Sequence, residues 1–483
     1  MDDGTDDAAG PEQAERALRS AEAAGAGSEV LTRLHVELGD AYRRRFWDLG
    51  DIADLDRAVA GYRRALDTDR VDPAARANDL AVVLTDRYDV TGEPGDLSAA
   101  MTAAGTALAG APEGSVAWAR YAATSVLCLW DRYDATGSLD DLDAAIGLGT
   151  RALAALPRED RAWARICSNV GMLRMDRYER HGAEDDLQEA VGHARLAAAH
   201  AYEDDPELGG WYNNLGSALL TRFGARFPDD AMPRPGDCVD LRDLEAAVAA
   251  YRKAIEVSPW GVAGRATFLA NLGNALSDLG EMRRLGGQPE RSRSALLEAV
   301  DALAEAVSLT PATAPYRASR LNVLGEAWRI VSEATGAPGD VAAARDALRE
   351  ACGAGLVVAP EMTVAAAGNW MRWAVRRSAW DEVGEADGYL LRAAEALHRA
   401  QSLRRHREAW LVASRGLVQE SVYALAVTGR AADAAVRLER GRAVLLSEEL
   451  GLVRVSSDRL PRPLRRRYAQ ALGRLDAALR EIG

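Results

Sequence analysis

One tripeptide sets the frame for this chain. Asp-Arg-Tyr stands at 86–88, at 131–133 and at 176–178, each copy 45 residues after the last, and Thr221-Arg222-Phe223 continues the series at the same step. Self-similarity at a fixed period of this size marks a stacked repeat array, because one unit is too small to bury its own apolar face and its neighbours must cover it. Stacked units build long grooves and carry function by binding. A hydrophobic content of 48 % is that of a folded chain and excludes wholesale disorder.

Each unit reads as a pair of helices. The first carries small and apolar residues at helical spacing, as in Asn214-Leu215-Gly216-Ser217-Ala218-Leu219-Leu220. It ends near an aromatic residue followed by a glycine suited to the left-handed position just past a helix: Gly92, Gly137, Gly182, Gly336 and Gly429. An acidic residue and Leu or Val then open the second helix, at Asp54, Asp96, Asp141, Asp186, Asp243 and Asp340. These carboxylates are expected to cap the free amides there and to favour the positive end of the helix dipole. In the second helix Ala247, Tyr251, Ala254 and Pro259 recur as Ala299, Leu303, Ala306 and Pro311, and as Ala145, Gly149, Ala152 and Pro157. Small residues at these steps let two helices approach, a bulky one fills the gap, and proline ends the unit.

With Leu38-Gly39-x2-Tyr42 in a first helix and Ala58-x3-Tyr62-x2-Ala65 in a second, the unit resembles the tetratricopeptide repeat. The resemblance implies an all-α, right-handed α-solenoid. The units are longer than the usual ~34 residues, the surplus falling around the end of the first helix. Aligned, they give about nine helix pairs, beginning near residues 29, 73, 114, 160, 207, 262, 313, 361 and 404. The expected organisation is an acidic disordered tail and capping helix over 1–28, the array over 29–403 with an insertion at 224–240, a last pair and junction over 404–450, and a linker with a final helix over 451–483.

The last pair contains Ala434-Ala435-Val436-Arg437-Leu438-Glu439-Arg440-Gly441-Arg442-Ala443-Val444-Leu445-Leu446-Ser447. This resembles the segment joining a repeat array to a CHAT domain, a caspase- and separase-like protease fold, in bacterial proteins. The resemblance implies Glu439, Arg440 and Arg442 as effector-junction residues and a CHAT domain, in cis or in trans, as a partner. The sequence shows no strand-rich region and no His-Gly pair followed by a cysteine nucleophile motif. The chain therefore reads as a regulatory array without its own catalysis: a non-catalytic sensor or scaffold of a CHAT protease system. The alternative is a free-standing adaptor unrelated to proteolysis.

Other residue classes give bland readings. Lys253 is the only lysine, an arginine bias that suits a GC-rich, actinobacterial type of genome. Net charge is −14, but residues from Trp370 onward are +7, so the first 369 carry −21. That polarity argues against nucleic acid and leaves a basic partner or segment as the complement. An acidic start without an apolar stretch gives no secretory signal, no apolar run suits a membrane helix, and the cytoplasm is the default. Cys128, Cys167, Cys238 and Cys352 form no Cys-x-x-Cys pair, and the six histidines form no ligand-spaced cluster. No cofactor or metal is expected. Asp237-Cys238 resembles the acidic-Cys pair of caspase-like nucleophiles, but a surface-loop thiol is the favoured reading.

Groove residues are the sharper expectation. Tetratricopeptide geometry places first-helix positions on the concave face. It selects Asn78, Asp86, Asp131, Asp176, Asn213, Asn274, Asp278 and Asn322 for a protein or peptide ligand. The competing reading of the Asp ladder is that each Asp pairs with a neighbouring Arg and stabilises its own repeat.

Overall fold

A computed structural model describes residues 10–227, 233–237, 239–258, 262–314, 316–400 and 418–439. The acidic tail, most of the junction with Arg440 and Arg442, the 451–483 segment and Cys238 lie outside these residues. Among the described residues all regular structure is helical. A lone helix α1 (Pro11–Ala23) precedes eight antiparallel pairs. These are α2 (Ser28–Leu49) with α3 (Ile52–Thr68), α4 (Pro73–Thr91) with α5 (Pro94–Ala109), and α6 (Val116–Thr136) with α7 (Leu139–Ala155). Then come α8 (Arg161–His181) with α9 (Glu184–His200), α10 (Leu208–Gly224) with α11 (Arg242–Val257), and α12 (Val262–Leu285) with α13 (Pro289–Ser308). Last are α14 (Arg317–Thr335) with α15 (Pro338–Val358) and α16 (Pro360–Arg376) with α17 (Trp380–Ala400). Helical turns at 418–427 and 431–439 follow. The fold is the expected all-α array of stacked helix pairs.

Packing divides the chain into two units, residues 1–299 and 300–483. In the first, each helix packs on its partner and on the next pair, and the first helices α4, α6, α8, α10 and α12 also touch in succession. Helices that meet on one side only curve the stack around that side, so the first helices line the concave face of this unit. In the second unit α14 to α17 pack in sequence around the fully buried Trp370 and Trp373.

The glycine after each Asp-Arg-Tyr ends its helix as the sequence predicts. Gly92, Gly137 and Gly182 have φ of +67°, +70° and +66°, and their N–H groups donate back to the carbonyls of Tyr88, Tyr133 and Tyr178. Only glycine adopts this left-handed turn without steric cost. The small residues of the pairs do what close approach requires. A Cβ on Gly216 would lie 2.6 Å from the Tyr251 ring, and one on Gly39 would lie 3.0 Å from Tyr62. The bulky residue of the second helix is thus seated on the glycine of the first.

The acidic residue of the second helix corrects its expectation. Asp54, Asp96, Asp141 and Asp186 stand at the third helical position, inside the first turn, and cap no amide; the residues at the cap itself are Asp51, Glu93, Ser138 and Ala183. Their carboxylates are buried and are held by the arginine six residues after the small residue of the first helix. Arg45 grips Asp54 through two nitrogens at 2.7 and 2.6 Å. Arg177 grips Asp186 at 2.9 and 2.6 Å, and Arg222 grips Asp243 at 3.0 and 2.6 Å. Arg87–Asp96 and Arg132–Asp141 repeat the fork. Arginine matches a carboxylate with two parallel N–H donors, and that geometry offsets the cost of burying both charges. Several of these arginines also reach back to the previous pair: Arg87 to Asp56, Arg177 to Asp143 (both 2.7 Å) and Arg222 to Gln188 (3.0 Å). The Arg of the opening motif is therefore a staple within and between repeats.

Candidate partner-binding cleft

With Arg87, Arg132 and Arg177 turned toward the second helices, the motif's aspartates stand on the concave side without them. Asp86 is taken instead by Arg43 of the preceding first helix, Nε to Oδ2 at 2.5 Å and Nη2 to Oδ1 at 3.3 Å. Asp176 accepts from the indole Nε1 of Trp130, again one repeat earlier, at 2.8 Å. The buried Oδ2 of Asp131 has no hydrogen-bond donor among the described residues. The reading in which each Asp pairs with its adjacent Arg is thus replaced: two of the three are held across a repeat boundary.

Arg43, Asp86 and Asp131 border a cleft of about 870 Å³ in the first unit, running across α2, α4, α6, α8 and the start of α10. Its floor carries Asn78, Asp79, Asp86, Asp89 and Asp131, and its far wall is built from the first turns of α8 and α10 with Asp160, Arg165 and Glu207. Trp47 stands at the border 64 % exposed, while Tyr62 and Trp211 are buried in the walls. Eight acidic residues face four arginines in the lining, and of these Arg43, Arg120 and Arg161 are already committed to Asp86, Asp160 and Asp204, the last two at 2.8 Å. Carboxylates therefore dominate the cleft. Burial, reinforced by Asp89 and Asp134, pushes the Asp131 carboxyl up to about 7. Burial also raises Asp79, against the pull of Arg76, and raises Glu207 and Asp89. A carboxyl lifted in this way gains strongly from a cation that arrives from outside.

Of the eight expected groove residues, the cleft brings together Asn78, Asp86 and Asp131. Asp176 lies beyond its border, and Asn213 accepts from Asn271 at 2.8 Å in an amide contact between repeats. Asn274 is exposed on α12, and burial pushes the nearby Asp278 carboxyl up to about 6. Asn322 belongs to the second unit, where it accepts from Asn369 at 3.2 Å. Trp47, Asp79, Asp89 and Glu207 were not selected from sequence. Trp47, Asp89 and Glu207 sit at helix ends, where a pattern taken from shorter units has no positions, whereas Asp79 is the neighbour of Asn78 inside α4.

Elsewhere the chemistry is quiet. Burial raises the thiols of Cys128, Cys167 and Cys352 to about 11, 12 and 12, which leaves them protonated and unreactive. His193 and His200 lie on α9, the first against the Glu189 carbonyl and the second edge-on to Trp163. Among the described residues no group of three or more His, Cys, Asp or Glu could hold a metal ion, and no helix is long and apolar enough to cross a membrane. At the junction Glu439 is an exposed residue at the end of the last described helical turn.

The sequence matches no family model and no curated protein. Solved structures similar to it include a thermophilic TPR protein, TTC0263, from Thermus thermophilus, at 19 % identity over 50 % of this chain and 98 % of that one, with a TM-score of 0.34. Human IFIT1, solved as a dimer with PPP-AAAA, is similar at 11 % identity over 90 % of this chain and 78 % of that one (TM-score 0.39). Acl4, an assembly chaperone of RpL4, is similar at 15 % over 64 % and 98 % (TM-score 0.33). The fold assignment rests on the helix packing described above.

Proposed function

We propose that this chain is a non-catalytic interaction scaffold whose cleft receives a protein or peptide segment of basic character. The observation that carries the reading is the 870 Å³ concave cleft, lined by mostly half-buried carboxylates and bordered by an exposed tryptophan. Tryptophan is enriched among the few residues that carry most of the binding energy once a partner covers them. Affinity capture with the full chain supplies the partner, and titration of that partner against Trp47→Ala tests the site. Binding is expected to weaken at least about tenfold, and an unchanged affinity would place the interface elsewhere.

The finer reading is the regulatory array of a CHAT protease system, in which occupation of the cleft changes the state of a caspase-like partner. It is supported by the sequence from Ala434 to Ser447, through Glu439, Arg440 and Arg442. Sequencing the encoding locus is expected to find a CHAT reading frame in or beside it. A locus without one would leave the plain adaptor as the function.

A further inference from the structure

The concave aspartates form a ladder with one rung unlike the others. Counting from the small residue of each first helix, Asp86, Asp131 and Asp176 all stand five positions on from Ala81, Val126 and Gly171. The donor to each rung comes from the fourth position of the preceding repeat. For Asp86 it is the guanidinium of Arg43, and for Asp176 the indole of Trp130. For Asp131 the corresponding residue is Thr85, whose hydroxyl donates to the Ala81 carbonyl and touches the Cys128 sulfur. Asp131 Oδ2 is consequently a buried acceptor without a donor among the described residues.

A second acceptor in the cleft shares this condition. Asn78 Oδ1 is also buried and without a partner, and it lies two turns before Thr85 on α4, about 10 Å along the helix. Buried polar atoms in folded proteins are nearly always hydrogen-bonded, so two unmatched acceptors in one cleft point to donors supplied by a ligand. Asn78 stands on α4 and Asp131 on α6, so a ligand that serves both must span two neighbouring helices.

We infer that Asp131 is the seat for an arginine side chain of the bound partner, which enters the cleft as Arg43 enters beside Asp86. The inference rests on the cleft being the partner site and adds the residue type it reads. A guanidinium provides the planar fork that Arg43 already demonstrates one rung away, and it is charge-matched to Asp131, Asp89 and Asp134.

The charges around the seat make its pH dependence specific. On α4, Asp86 is neutralised by Arg43, and Asp89 is a second carboxyl beside it. On α6, Asp134 is a third carboxyl and Arg132 is turned away to Asp141 on α7; on α8, Asp176 is engaged by Trp130. A group that titrates near neutrality when the cleft is open becomes ionised when a guanidinium arrives, so binding releases a proton and strengthens as pH rises through about 7.

The test uses the full chain and a labelled ten-residue glycine–serine–leucine peptide with one central arginine, beside its neutral citrulline counterpart and free arginine. In fluorescence anisotropy the wild type is expected to bind the arginine peptide at least tenfold tighter than the citrulline peptide or free arginine. Asp131→Asn, which keeps the shape, is expected to reduce the preference below twofold. Glu184→Gln, an exposed change on α9, should leave it intact. Calorimetry at pH 7 in two buffers of different ionisation enthalpy should show proton release with wild type and none with Asp131→Asn. If both peptides bind equally while Trp47→Ala weakens each, the arginine seat is wrong and the cleft reading stands. If neither peptide binds, or the preference survives Asp131→Asn, the inference is overturned; absence of binding together with indifference of the captured partner to Trp47→Ala overturns the cleft reading as well.

Discussion

At the residue scale, Asp131 on a first helix and Asp186 on a second helix show two fates of a repeated carboxylate. Asp186 is surrounded by Arg177 and Arg174, which hold its carboxyl below the usual range, so its stabilisation is present at neutral pH and lost as pH falls below about 4. Asp131 has the opposite linkage. Its folded-state carboxyl titrates near 7 against about 4 unfolded, so the folded chain retains a proton that the unfolded chain has released. Stability therefore falls as pH rises from about 4 to about 7 and is flat above. Asp131→Asn is expected to raise Tm by roughly 2–4 °C at pH 7.5 and to leave it unchanged at pH 4, as read by calorimetry. A lower Tm at pH 7.5 would mean that Asp131 has a stabilising donor.

At the element scale, the helix pairs and their ends were legible, because they follow from local rules. The Leu-Gly step, the Thr-Gly stop and the alanines of the second helix each imply one contact, and Gly39, Gly92 and Ala254 make it. What was not legible was which partner each charge would choose. Arg132 has Asp131 beside it in sequence, but neighbours along a helix point in different directions, and Arg132 meets Asp141 across the turn. The cleft was half-legible for a related reason: Asn78, Asp86 and Asp131 follow the period, whereas Trp47 and Glu207 depend on how long neighbouring helices run. The staple makes a strong claim about stability. Asp186→Ala removes the buried carboxylate that Arg174 and Arg177 share, leaves them only the exposed Glu189 and Asp143, and is expected to cost about 2–4 kcal/mol in denaturant unfolding. A loss below ~0.5 kcal/mol would show that the fork is a surface decoration.

At the scale of the whole molecule, a stack in which each pair touches only its neighbours should not fail everywhere at once. In Asp186→Ala, hydrogen exchange is expected to quicken in α8 and α9 and in the flanking α7 and α10, with α2 and α3 unchanged. Uniform acceleration would instead indicate a single cooperative fold. Charge is also distributed at this scale: the −21 of the first 369 residues gives the cleft an acidic setting, whose attraction for positive charge weakens with added salt.

The staple has a consequence for how such a chain can change over time. Arg87, Arg177 and Arg222 each satisfy an aspartate in their own pair and, through one further nitrogen, a polar side chain of the pair before it. A gene segment of 45 codons copied in register would bring both halves of this fastening with it, and the copy could dock at either side without inventing a contact. Arg132 is the exception, since the position that would answer it in the previous pair is Ser98. The array can thus lengthen or shorten by whole units, and the seam before α6 is where its ancestry need not be one continuous duplication.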